Sequence, residues 1–198
     1  MTRDLTDRRR VLVAGIGNVF FGDDAFGVEV VGRIDRETLP TDVDVTEYGI
    51  RGVHLAYELL KGNHHTLILV DAMPLDEAPG TVAVLEIGER APSQHDAVAD
   101  VEAPGVDAHT MTPDSVLRVL ETLGGHVDHI FVVGCQPQVF DQGMQLSAPV
   151  RRAVDEATSI VVRLATEMAE TAEMAENPRN GNANRAQTEA TTDRLQVG

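Results

Sequence analysis

Short apolar runs alternate with amphipathic stretches along the chain. Val11-Leu12-Val13-Ala14-Gly15-Ile16 is an unbroken apolar run, with the length and β-branched content of a strand buried on both faces. Behind it Phe26, Val30 and Ile34 recur at helical spacing. Residues 42–46 alternate valine with polar side chains, the pattern of a half-exposed strand, and 53–60 read as a helix closed by Gly62-Asn63. A second apolar run, 66–72, is interrupted only by Asp71 near its end. Pro79-Gly80 marks a turn before a strand at 81–87, and 88–105 has no period and reads as a surface loop. Thr112 as N-cap with Pro113 at the first helical position opens a helix whose stripe is Val116, Leu117, Leu120 and Leu123. A strand follows at 129–133. Ser147 and Pro149 then open a last helix on which Val150, Ala153, Val154, Ala157, Ile160, Val161 and Leu164 keep helical spacing. The order strand, helix, strand, helix, strand, strand, helix, strand, helix predicts a three-layer α/β/α domain around a mostly parallel twisted sheet. Residues 1–10 read as a flexible arm, 11–169 as the domain and 170–198 as a disordered polar tail.

Composition narrows the function classes. The 198 residues carry 16 Lys and Arg against 32 Asp and Glu, a net charge of −16, which argues against nucleic acid and anionic membranes as partners. With hydrophobic residues at 42% and aromatics at 4%, the core must be built from Val, Leu, Ile and Ala. A single cysteine, Cys135, permits no internal disulfide and no thiolate metal cluster. The first ten residues lack the apolar stretch of a signal peptide and no run approaches transmembrane length, so a cytoplasmic location is expected.

The candidate chemistry lies where strands end. Gly15-Ile16-Gly17-Asn18 closes the first apolar run, and Gly22-Asp23-Asp24 sets two adjacent acids between strand and helix. In open α/β sheets ligands bind at that edge. A nucleotide site does not fit. Phe20 stands where the dinucleotide fingerprint needs its third glycine, acids at a helix start repel phosphate, and the only lysine, Lys61, is followed by glycine rather than Ser or Thr. A cation site or simple helix capping remain open, and one of the two acids fits a cap. Asp71, closing the second apolar run, points to the same edge or caps a loop. His109 precedes the helix that begins at Pro113; such a histidine is ordinarily exposed unless the fold brings it to the acids. Cys135 reads as buried and inert.

Four motifs in order then carry a resemblance: Gly15-Ile16-Gly17-Asn18 with Gly22-Asp23-Asp24; Leu69-Val70-Asp71-Ala72; His109-Thr110-Met111-Thr112-Pro113; and Gly134-Cys135-Gln136-Pro137. Over about residues 11–165 the chain resembles the nickel–iron hydrogenase maturation endopeptidases. The glycine turn at 49–52 is also similar, but Glu47 and Tyr48 precede it where the family often has an aspartate, so no role is carried to an acid there. The resemblance implies an endopeptidase that removes a short C-terminal extension from the hydrogenase large-subunit precursor after nickel insertion. It implies Asp24, Asp71 and His109 as nickel contacts, with the nickel supplied by the precursor, and Asp24 or Asp71 as the acid–base group. Asp23 is then a cap or a support for the site rather than a ligand. Two carboxylates and an imidazole suit a borderline metal such as nickel or zinc, and three protein ligands leave positions for substrate. The competing expectations are an α/β hydrolase acting on another precursor, and a nickel-dependent chaperone of the immature large subunit that cleaves nothing.

Overall fold

The computed structural model describes residues 10–87, 113–140, 143 and 145–176. Among these, five strands form one sheet in the order β2-β1-β3-β5-β4. The strands are β1 (Arg10–Ile16), β2 (Val43–Gly49), β3 (His64–Ala72), β4 (Val82–Ile87) and β5 (His129–Cys135). Strands β2, β1, β3 and β5 are mutually parallel, and β4 is an antiparallel edge strand on β5. The α/β expectation therefore holds.

Helices cover both faces, which is why β1 and β3 are apolar runs rather than alternating ones. Val11 and Val13 of β1 and Ile68, Val70 and Ala72 of β3 pack with α1 (Phe26–Gly32) and α4 (Ala148–Glu176). The intervening Leu12, Ala14, Ile16, Leu67 and Leu69 pack with α2 (Gly52–Leu60) and α3 (Pro113–Thr122). Every side chain from Leu67 to Val70 is fully buried, each contributing about 1.5–3 kcal/mol of hydrophobic stabilisation.

Two boundaries differ from the sequence reading. Arg10 belongs to β1 rather than to an arm, pairing with His64 in the sheet and with the Asp44 carboxylate at 2.5 Å. At the other end α4 continues to Glu176 and keeps Ala169 and Ala172 buried, so residues 170–176 are helix, not tail. The stripe shrinks to alanine there. It fades as a hydrophobic signal, yet alanine is the strongest helix former and keeps the spacing. Residues 1–9, the loop 88–105, Thr112 and 177–198 lie outside the described residues.

The topology creates one special edge. From β1 the chain passes through α1 to β2 on one side; from β2 it crosses back through α2 to β3 on the other side of β1. The carboxyl ends of β1 and β3 thus flank the switch point of the sheet, the position where such folds leave a crevice for ligands.

Candidate active site

Asp24 and Asp71 meet at this switch point. Asp24 follows β1 in a short 3-10 turn, Gly22–Ala25, that runs directly into α1. Asp71 is the penultimate residue of β3 and pairs with Gly134 of β5. By strand parity it continues the row of Leu67 and Leu69, toward the α2 and α3 layer.

Glycine brings the two ends together. A Cβ on Gly27 would lie 2.1 Å from the Val70 carbonyl oxygen and 2.3 Å from that of Ile16. The first turn of α1 therefore rests on the backbone tips of β1 and β3, which only a residue without a side chain allows. Gly17, with φ of 125°, makes the second approach: a Cβ there would fall on the Asp24 carbonyl. The loop between them is closed locally. The Asn18 N–H donates to the Asp24 carboxylate at 2.8 Å, and the Phe20 N–H to the Asn18 side-chain oxygen at 3.0 Å.

The two acids of the Gly22-Asp23-Asp24 motif have opposite environments. Asp23 is fully buried. Its carboxylate accepts the backbone N–H groups of Gln138 at 2.8 Å, Val139 at 2.9 Å and Ser147 at 2.7 Å. Burial alone would raise its pKa, but these donors outweigh it and hold the carboxyl below its ordinary value. It does not cap its own turn, whose first residues receive no side-chain cap; it ties the turn to the segment after β5 and to the start of α4. Asp24 is half-buried, and burial raises its pKa against the bond from the Asn18 N–H. Asp71 is 5% exposed. Burial, and then repulsion from Asp24, push it well above the ordinary carboxyl range, against a bond from the Ala72 N–H. A carboxylate held in its charged form by backbone donors thus sits beside a carboxyl pair that resists charge, a separation of acids of the kind functional sites exploit.

Among the described residues no three His, Cys, Asp or Glu side chains stand together as a metal site. Asp24 and Asp71 are brought together; His109 lies outside the described residues. Cys135 is buried as expected, and burial pushes its thiol up to about 12, so it is no nucleophile. Glu47 is exposed, and Tyr48 is buried on the face of α2. Gln136 has a part that sequence reasoning did not assign. Its side-chain oxygen accepts the Leu75 N–H at 2.6 Å, its side-chain amide donates to the Pro137 carbonyl at 3.2 Å, and its own N–H donates to the Thr81 carbonyl at 2.9 Å. It stitches the segment after Asp71 to the end of β5. The only signal was its place in Gly134-Cys135-Gln136-Pro137, where a side-chain amide follows a buried strand.

An open α/β sheet with a half-buried and a buried carboxylate together at its switch point defines a protein of the doubly wound class whose switch-point edge is acidic. The model of the hydrogenase maturation proteases matches residues 28–164, and the chain belongs to that family. It is accordingly a peptidase. A Methanocaldococcus jannaschii protein provisionally named a hydrogenase maturation protease is 32% identical over 158 residues, 78% of this chain and 96% of its own. The hydrogenase 2 maturation protease of Escherichia coli is 27% identical over 160 residues, 77% of this chain and 88% of its own. Among solved structures, the hydrogenase maturating endopeptidase HybD of E. coli superposes with a TM-score of 0.61 at 25% identity, covering 80% of this chain and 93% of that one.

Proposed function

We propose that this peptidase removes the C-terminal extension of a nickel–iron hydrogenase large-subunit precursor after nickel has been inserted, and that the precursor's nickel is its recognition element. The observation that supports this best is the pair Asp24 and Asp71. A buried carboxylate repelled by a neighbouring carboxylate is a poor resting arrangement, and a cation arriving with the substrate relieves it. His109 supplies the third contact. It lies four positions before Pro113, a reach of at most about 14 Å. Helix α3 begins on the acidic side of the sheet, since near its far end Leu120, with Gly125 just beyond the helix, lies by Leu60 where α2 ends and the chain turns into β3. Two carboxylates and one imidazole leave positions for substrate thiolates or water. Such an incomplete set holds free nickel weakly, so the enzyme responds to nickel already seated in the precursor.

Within this reading Asp71 or Asp24 is the acid–base group for hydrolysis. A carboxyl whose pKa is lifted toward neutrality by burial accepts and returns a proton more effectively near neutral pH than an ordinary one. Asp71→Asn and His109→Ala are each expected to abolish processing of a nickel-loaded precursor while circular dichroism and the melting transition report a folded protein. Normal processing by either variant would remove that residue from the site.

A further inference from the structure

Among the described residues Asp23 is the most heavily bonded side chain at the switch point, and the chemistry above does not use it. Its carboxylate gathers donors that lie 115, 116 and 124 residues away in sequence. Its own N–H donates to the Val139 carbonyl at 3.2 Å, and the neighbouring Gly22 N–H to the Gly143 carbonyl at 2.7 Å. The segment after β5 and the start of α4 are thereby pinned to the turn that carries Asp24. Helix α4 begins just after Ser147, so the charge also lies at a helix N-terminus, where the macrodipole favours it. The Ser147 N–H, a group that capping by the serine hydroxyl would leave free, goes to Asp23. A fully buried charge with three backbone donors is an expensive way to hold a loop unless its geometry matters.

The geometry points to Asp23 as the positioning residue for Asp24; this rests on the reading that Asp24 contacts the precursor's nickel or the scissile bond. The turn Gly22–Ala25 is fixed on one side by Gly27 resting on the tips of β1 and β3, and on the other by the Asp23 carboxylate. Asp24 stands between these two anchors, and its carboxylate accepts the Asn18 N–H at 2.8 Å. Loss of the Asp23 anchor lets the turn rotate about the Gly27 contact and carries the Asp24 carboxylate away from both Asn18 and Asp71. Asparagine at position 23 has the shape of aspartate but turns an amide N–H₂ toward backbone N–H groups that the second carboxylate oxygen had accepted.

The test uses the full chain as wild type, Asp23→Asn and Ser147→Pro, the last removing one donor while leaving the Asp23 carboxylate. Processing of nickel-loaded precursor is measured well below each melting temperature, with rates expressed per folded molecule. The expected result is a fall in kcat of about a hundredfold for Asp23→Asn, the scale of a displacement of about 1 Å in a catalytic group, with KM little changed and a smaller fall of the same kind for Ser147→Pro. In parallel, amide hydrogen exchange of Asn18 is expected to accelerate, because its acceptor has moved. If the Gln138 and Val139 amides lose protection while Asn18 keeps its own and kcat per folded molecule is unchanged, Asp23 only ties down the loop and the proposal fails. Should wild type leave the precursor uncut, the functional reading fails, and Asn18 exchange in the variants still decides whether Asp23 positions Asp24. Should Asp23→Asn not fold, Ser147→Pro carries the same two readouts.

Discussion

Replacing Asp71 by asparagine should make the protein more stable and inactive at once. Asp71 is 5% exposed, and burial and the charge of Asp24 raise its pKa well above the ordinary value. A carboxyl whose pKa is raised on folding binds protons more tightly in the native state, so its contribution to stability declines as pH rises from the unfolded value through the folded one. At neutral pH the native protein bears the strain of the ionised pair or the cost of taking up a proton. Protonation sets the ceiling: from an unfolded value of about 3.9 to pH 7, at about 1.36 kcal/mol per unit, the cost is at most about 4 kcal/mol. Asparagine keeps the shape, and its side-chain oxygen can still accept the Ala72 N–H. The expected gain for Asp71→Asn at pH 7 is therefore about 1–4 kcal/mol, or roughly 3–12 °C in melting temperature for a domain of this size. The assay is a pair of thermal melts, wild type and variant, repeated from pH 7.5 down to pH 5. Asp23, held below its ordinary value, loses its own contribution as pH falls, but it does so in both proteins and cancels in the difference. The advantage of the variant should shrink steadily with falling pH. A variant less stable than wild type at pH 7, or an advantage that does not shrink, would refute the account of Asp71.

Two further outcomes follow from the packing. Gly27→Ala places a methyl group 2.1 Å from the Val70 carbonyl oxygen, so α1 must lift from the strand tips; a loss of about 1–3 kcal/mol with loss of processing is expected in melts and cleavage assays, and an alanine variant that melts and cleaves like wild type would contradict the close approach. Cys135 should be untouched by a thiol reagent at pH 8 in the folded protein and react fully after unfolding, because it is buried and its thiol is pushed up to about 12; rapid labelling of native protein would overturn that placement.

The sheet was legible because its strands are short and apolar and its helices have clean stripes. Parallel strands covered on both faces must read as unbroken runs, and the runs at 11–16 and 66–72 did. Asp24 and Asp71 were legible as edge residues because each closes or follows such a run. Their mutual repulsion was not, since strand order in space decides which edges are neighbours, and β1 and β3 are adjacent only because β2 turns to the far side. The partners of Asp23 were hidden for a similar reason: all three are backbone N–H groups, which carry no residue-type signal, and they lie more than a hundred residues away. The end of α4 is not legible in the sequence because a stripe reduced to Ala169 and Ala172 loses hydrophobic contrast before it loses contact.

We propose, then, that the Asp24–Asp71 pair at the switch point reads the metal state of a protein substrate before it is cut. The direct measurement is the intact mass of a candidate hydrogenase large-subunit precursor after incubation with this protein, with and without prior nickel loading. The account predicts loss of a C-terminal peptide from the nickel-loaded precursor alone. Equal cleavage of the metal-free precursor would contradict the nickel check, and a stable complex with no change in mass would replace the peptidase reading of this pairing with that of a chaperone.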